Sequence, residues 1–218
     1  DRLVILAENG HFIGEDYSLG LCLDYILKYL KKDSSSNDIV VNLSTSRLID
    51  DIAQAYGCKV HETKIGEPHV TKKIKELNAI AGGEGNGGVI YPAIGWGRDS
   101  LTGIVLALCY LATSNKTVSE WATSYPNYYL CRLKCNLDSK KQVTTILEAV
   151  SDQYPQAKKN TQDGLKLTFD SHWIHIRPSN TEPILRIFCE ASSLKKAEDS
   201  AHKVKNFVEK QLYHKTCI

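Results

Sequence analysis

The sequence predicts two domains in series. The first is an α/β domain, a mixed sheet with flanking helices; the second is an α+β domain, an antiparallel sheet with its helices on one face. Three observations predict this. Strand-like and helix-like segments alternate from about residue 38 to residue 125, the rhythm of a layered α/β unit. After Pro126 the pattern turns to strict apolar–polar alternation in "NYYLCRLKCNL", which is how a half-solvated antiparallel strand reads. The length of 218 residues suits one large or two small domains.

Taken in order, "LVILAENGHFIGE" reads as two strands around the Asn9-Gly10 turn, a strong hairpin signal. A helix follows in "YSLGLCLDYILKYLKK", where Leu19, Cys22, Leu23, Ile26, Leu27 and Leu30 recur at helical spacing. "DSSSND" (33–38) is the linker expected in this half. "IVVNL" is a buried strand, and "STSRLIDDIAQAYG" a helix with hydroxyl caps at its start and Gly57 as its stop. "CKVHE" is the next strand, and Pro68 suits the first turn of a helix through about Leu77. In "AIAGGEGNGGVIYP" two short strands flank a glycine-rich turn, with Glu84 and Asn86 expected at its tip, facing outward. "RDSLTGIVLALCYLAT" is a nearly all-apolar helix with Asp99 and Ser100 at its cap, and Thr117 with Glu120 makes a capping box for a short one.

In the second domain, Tyr129, Cys131, Leu133, Cys135 and Leu137 share one face of a strand and Arg132, Lys134 and Asn136 the other. A helix over 139–153, strands at 164–169, 172–176 and 184–190, and a helix from 194 give the order β-α-β-β-β-α. His172 and His175, three apart on a strand, fall on opposite faces and make no shared metal site.

A formal charge of +2 gives no footprint for nucleic acid or an anionic membrane, and no apolar run has membrane-spanning length. Seven cysteines without a C-x-x-C pair argue against a disulfide framework or a zinc knuckle. Cys22, Cys109, Cys131, Cys135 and Cys189 lie in apolar periodic segments and read as reduced core residues, so a cytoplasmic home is expected. The absence of Met, even at position 1, raises the expectation that the chain begins inside a domain of a longer protein.

Two connections carry the candidate chemistry. "GGEGNGG" sets one carboxylate, Glu84, among glycines; it reads either as a solvated hairpin or as a tip that grips adjacent hydroxyls with its two oxygens. No G-K-[ST] follows, so it is not a P-loop, and its glycines join strands, which excludes a dinucleotide fingerprint. "RPSNTEP" places Arg177, Ser179, Asn180 and Thr181 in a proline-stiffened turn, with Arg186 on the next strand. Guanidinium forks, hydroxyls and backbone N–H groups suit a phosphate dianion, although such residues also dominate ordinary turns.

Together the two loops resemble the α-D-phosphohexomutase family, which includes phosphomannomutase/phosphoglucomutase and phosphoglucosamine mutase. "GEGNGG" is similar to its sugar-binding loop, G-E-x-[SN]-G, and "RPSNTEP" to its phosphate-binding loop, R-x-S-[GN]-T-x-P. "DRLVIL" resembles the tail of its metal-binding loop, D-x-D-x-D-R.

The resemblance implies a four-domain enzyme. Residues 1–36 would be the end of domain 2, a remnant of another α/β domain; 37–125 would be sugar-binding domain 3, and 126–218 phosphate-binding domain 4. It implies phosphoryl transfer between hexose 6-phosphate and hexose 1-phosphate through a phosphoserine and a hexose 1,6-bisphosphate. Mg²⁺ on three carboxylates would neutralise the transferring group.

Carried over, Glu84 and Asn86 would hold sugar hydroxyls. Arg177, Ser179, Asn180, Thr181 and Arg186 would hold the non-transferring phosphate. Asp1 would be a metal ligand and Arg2 a catalytic residue against the reacting phosphoryl. The phosphoserine loop and two metal carboxylates are not in this sequence, so the chain by itself is expected to be inactive. Gly88 stands where many members have His, and Pro68 where many have a basic residue. The form "GEGNGG" favours glucosamine phosphate over mannose or glucose phosphate. The alternative is a non-catalytic sugar-phosphate binding module. A remnant stripped of its sheet neighbours is expected to be exposed and prone to self-association.

Overall fold

The computed structural model describes residues 1–32, 36–137, 139 and 142–213. Residues 33–35 of the expected linker, and 138, 140 and 141 at the start of the helix expected from 139, lie outside the described residues. The chain forms two compact units, Asp1–Pro126 and Asn127–Ile218.

In the first unit a four-stranded sheet has the order β2-β1-β3-β4. β1 (Asp38–Asn42) pairs in parallel with β2 (Lys59–Thr63) and β3 (Ala81–Glu84), and β4 (Gly88–Ile90) runs antiparallel to β3. Ile39, Val40 and Val41 are buried on both faces of the sheet, as a central parallel strand requires. α3 (Glu67–Leu77) covers one face through Val70 and Ile74, which pack with Val40 and Ile90. α1 (Glu15–Tyr25), continued by a π-helical turn over Ile26–Leu30, packs with β3, β4, α2 (Leu48–Ala55) and α4 (Ser100–Ser114).

Local signals hold well here. Ser46 Oγ accepts from the Leu48 N–H at the start of α2, and Gly57 after its end has φ +64°. Pro68 sits in the first turn of α3. Asp99 caps α4 by accepting from the Leu101 N–H, and Thr117 and Glu120 close both halves of the capping box of α5 (Val118–Ala122).

Two features of the first 36 residues differ from expectation. The Asn9-Gly10 turn forms, with the Ala7 N–H donating to His11 O (2.8 Å), but the expected hairpin is reduced to the single bridge Leu6–Phe12. Val4, Leu6 and Phe12 are each about half exposed or more; a two-stranded ribbon without a sheet to dock on is marginal.

The helix set apart with residues 1–36 is instead enclosed in the first unit. Leu19, Leu21, Leu23 and Ile26 are fully buried. Asp24, also buried, accepts from Tyr56 Oη (2.5 Å) and from Trp121 Nε1 (2.7 Å), which ties α1 to α2's end and to α5. The apolar stripe of α1 needed a partner, and α4 supplies it.

The second unit is a five-stranded antiparallel sheet of order β5-β9-β8-β7-β6. It comprises β5 (Tyr129–Asn136), α6 (Val143–Gln153), β6 (Lys158–Asn160), β7 (Leu165–Thr168), β8 (His172–Pro178), β9 (Ile184–Ala191) and α7 (Leu194–Tyr213). β6 is an addition to the expected order. Its three residues, "KKN", are too short and polar to carry a period-2 signal.

Cys135, Leu165, Leu167, Ile174, Ile176, Leu185, Ile187 and Cys189 share the core with Val150 of α6 and Val204 and Val208 of α7. The expected alternation therefore sends Arg132 and Lys134 to the other face, together with Lys166, His175, Arg177 and Arg186, which occupy the matching register positions. All six described cysteines are free thiols. Among the described residues no helix is long and apolar enough to cross a membrane.

Candidate functional site

Glu84, the last residue of β3, does not face outward: it is 2 % exposed. Its Oε1 accepts from Asn42 Nδ2 (2.8 Å), at the end of β1, and from the Gly66 N–H (2.8 Å), at the entry to α3. Its Oε2 pairs with Arg98 Nη1 at 2.8 Å. The carboxylate thus ties together a strand end and two helix entries.

The bareness of the loop has the same origin. A methyl group on Gly82 would collide with the Val40 carbonyl oxygen, and one on Gly87 (φ +85°) with the Leu3 carbonyl oxygen. At these two positions neighbouring backbone occupies the space that a side chain would need. Asn86 is half-buried, and its Oδ1 accepts from the Gly88 N–H at 3.3 Å.

Arg98 is the hub of this region. Its guanidinium, 14 % exposed, also donates through Nε to Glu67 Oε2 (2.9 Å) and through Nη2 to Asp1 Oδ2 (2.7 Å). The Leu3 N–H donates to Gly87 O (3.2 Å), so residues 1–3 run beside the glycine loop. The fold thereby brings Asp1 and Glu84 together around one arginine, while Arg2 is exposed.

Asp1, expected as a metal ligand, meets a guanidinium in this arrangement. Its carboxylate is engaged by Arg98, and among the described residues no group of three or more His, Cys, Asp or Glu is placed to hold a metal ion. A single carboxylate already neutralised by a guanidinium is a poor Mg²⁺ site.

The second connection, between β8 and β9, is arranged differently. Ser179 is 3 % exposed; its N–H donates to Ile184 O (2.9 Å), and Asn180 and Thr181 form the exposed tip. Arg177 and Arg186 are directly paired across β8 and β9, and Arg186 is paired in turn with Lys134 of β5. Like charges so placed repel, and carboxylates offset them. Asp163 lies 3.4 Å from Arg177 Nε, and Glu182 accepts from Arg186 Nη2 at 2.7 Å.

Arg186 Nη2 also lies 3.4 Å from Ser179 Oγ. The Nε of Arg186 is buried and has no hydrogen-bond partner. An orphaned cationic donor beside a turn of hydroxyls is the kind of vacancy an anion's oxygen fills.

Arg98, Glu67, Asn42, Asp163 and Glu182 were missed from the sequence. In "WGRDS" the helix cap at Asp99 and Ser100 was the preferred reading over a second site, and nothing local marked Asn42 or Asp163 as partners of residues that lie 42 and 14 positions away.

A family model described as phosphoglucomutase/phosphomannomutase, alpha/beta/alpha domain III matches residues 14–129. A second, the phosphoglucomutase/phosphomannomutase C-terminal domain, matches 130–207. The chain belongs to the phosphoglucomutase/phosphomannomutase family. The domain III match includes α1, in keeping with its packing.

The chain is 37% identical over 199 residues to a phosphoglucomutase/phosphomannomutase of Thermococcus kodakarensis, covering 91% of this chain and 43% of that protein. It is 32% identical over 211 residues to a phosphoglucosamine/phosphogalactosamine mutase of Sulfurisphaera tokodaii, covering 96% and 46%. It therefore spans less than half the length of these relatives.

Among solved structures, a phosphoglucomutase/phosphomannomutase family protein of Burkholderia thailandensis superposes with TM-score 0.75 at 21% identity, over 99% of this chain and 45% of that one. An Aspergillus fumigatus N-acetylphosphoglucosamine mutase, solved with GlcNAc-6P and magnesium, gives 0.70 at 16%, over 97% and 47%. At these identities the likeness is one of fold.

Proposed function

We propose that the protein to which this chain belongs is a phosphohexomutase acting on hexose 6-phosphate and hexose 1-phosphate, with glucosamine phosphate its substrate. The observation that carries the reading is the β8–β9 turn, where Arg177 and Arg186 flank buried Ser179 and the Nε of Arg186 lacks a partner. In this reading Arg177, Ser179, Asn180, Thr181 and Arg186 hold the phosphate that is not transferred, and the hexose 1,6-bisphosphate intermediate has one of its two phosphates in the same place.

Asn86 reaches sugar hydroxyls from the glycine loop. Glu84 joins it only by exchanging its ion pair with Arg98 for hydrogen bonds donated by uncharged hydroxyls. The phosphoryl donor, a phosphoserine, belongs to the part of the enzyme outside this sequence. Arg2, exposed at the start of the chain, is positioned on this reading to face the reacting group.

Calorimetric titration with glucosamine 6-phosphate, glucosamine 1-phosphate and mannose 6-phosphate tests the proposal. Binding abolished in Arg177→Ala and weakened in Asn86→Ala is the expected result, with the glucosamine phosphates ahead of mannose 6-phosphate. No binding of any of the three would sink the assignment of these loops. A preference for mannose 6-phosphate would overturn the choice of sugar.

A further inference from the structure

We propose that Asp163 is a positioning residue for phosphate recognition: its carboxylate takes the Nε–H of Arg177 and so presents both terminal nitrogens of that guanidinium to the anion. The inference rests on the reading of "RPSNTEP" as the phosphate loop and adds a residue outside that motif.

Of the five N–H groups of a guanidinium, one is on Nε at the root of the fork and four are on the terminal nitrogens. A carboxylate at the root aims the fork without occupying it. Asp163 Oδ1 lies 3.4 Å from Arg177 Nε, with the two side chains only 19 % and 12 % exposed. Glu182 does the opposite to Arg186: it takes a terminal nitrogen, Nη2, and that pair is 52 % and 40 % exposed.

The turn that carries Asp163, between β6 and β7, is held rigidly against β8. His175 is fully buried, and its Nε2 lies 2.7 Å from the Asp163 carbonyl oxygen. That oxygen can only accept, so the ring nitrogen is the donor. Gly164 has φ +73°, and a methyl group there would collide with the Ile176 carbonyl oxygen. On the other side of the turn, the Gln162 N–H donates to Asn160 Oδ1 at 3.0 Å.

Three contacts therefore fix the backbone that aims one carboxylate. The need for aim is also visible: Arg177 faces Arg186 across the strand pair, and two cations at paired positions swing apart unless each is held.

The test uses the whole 218-residue chain, inorganic phosphate as ligand, and the variants Asp163→Ala, Asp163→Asn and Arg177→Ala. Affinity is read by calorimetry, and the Arg177 Nε–Hε resonance by NMR without phosphate. We expect Asp163→Ala to bind phosphate about tenfold more weakly, with Asp163→Asn in between, and the Nε–Hε resonance to move in both. A merely structural role would not move that resonance selectively. Should Asp163→Ala not fold, Asp163→Asn decides.

Phosphate affinity equal to the parent chain in the Asp163 variants, or an unmoved resonance, would overturn the positioning role alone. A parent chain that binds no phosphate, or binds it as well in Arg177→Ala, would overturn the phosphate reading itself, and this inference with it.

Discussion

The glycine loop of the first unit and the β8–β9 turn of the second both read in sequence as ligand-binding loops, yet they use charge in opposite ways. At the first, Glu84 is buried and all of its bonds go to the protein: Asn42, Gly66 and Arg98. At the second, the carboxylates sit beside the arginines, and a buried guanidinium nitrogen is left without a partner. The first loop is built like a keystone, the second like a receptor. A motif fixes which groups are present, and the surrounding fold decides which of them are free for a ligand.

The largest expected effect breaks the keystone. Glu84→Ala leaves Arg98, Asn42 Nδ2 and the Gly66 N–H with one acceptor fewer in a buried setting, and should cost about 3–5 kcal/mol of stability in denaturant unfolding. A loss below about 1 kcal/mol would mean that the carboxylate is as free as the sequence suggested, and the contrast would collapse.

The second effect concerns the receptor's footing. Burial lowers the pKa of His175 from 6.5 to about 4, against a smaller upward pull from its bond to Asp163 O; nearby Lys166 and Arg177 lower it further, and the Asp163 carboxylate raises it. Above pH 6.5 the ring is neutral in folded and unfolded chains alike. As pH falls from 6.5 towards 4 only the unfolded chain takes up the proton, so stability declines across that window by about 3 kcal/mol. The denaturation midpoint followed against pH should show this decline in the parent chain and a flatter profile in His175→Gln.

Smaller effects sharpen the comparison. Arg177→Ala should lower phosphate affinity at least about tenfold while changing stability by about 1 kcal/mol or less, the reverse of the balance at Glu84. Calorimetry and unfolding on the same preparation would check both halves. Glu182→Gln removes an exposed pair worth under about 1 kcal/mol and frees a terminal nitrogen of Arg186. It should leave stability nearly unchanged and raise phosphate affinity about two- to threefold, measured by titration at low salt.

How much was legible follows from the range of each interaction. The buried strand at Ile39–Val41, the start of α3 at Pro68 and the alternation of β5 were all written within windows of a few residues. β6 was not, because "KKN" has no apolar position of its own and is a strand only by pairing with β7. The N-terminal hairpin was over-read for the converse reason: an Asn-Gly turn specifies the reversal, but the strands beside it persist only where a sheet receives them. The residues of the β8–β9 turn were legible as a set, and the carboxylates that pair with its arginines were not.

By itself, then, the sequence determined the two-domain α/β and α+β architecture, the helix caps such as Thr117 with Glu120, and the residue content of the two loops. These depend on periodicity and on hydrogen bonds that reach three or four positions along the chain. Only the tertiary structure decided that α1 belongs to the first unit, that Glu84 is spent on Arg98 while Arg186 keeps an unpaired nitrogen, and that Asp163 stands beside Arg177. Burial and charge pairing act between residues that the chain holds far apart, as with Asp1 and Arg98, 97 positions from each other. Which of two carboxylates meets a given arginine is settled only when the strands and helices that carry them have packed.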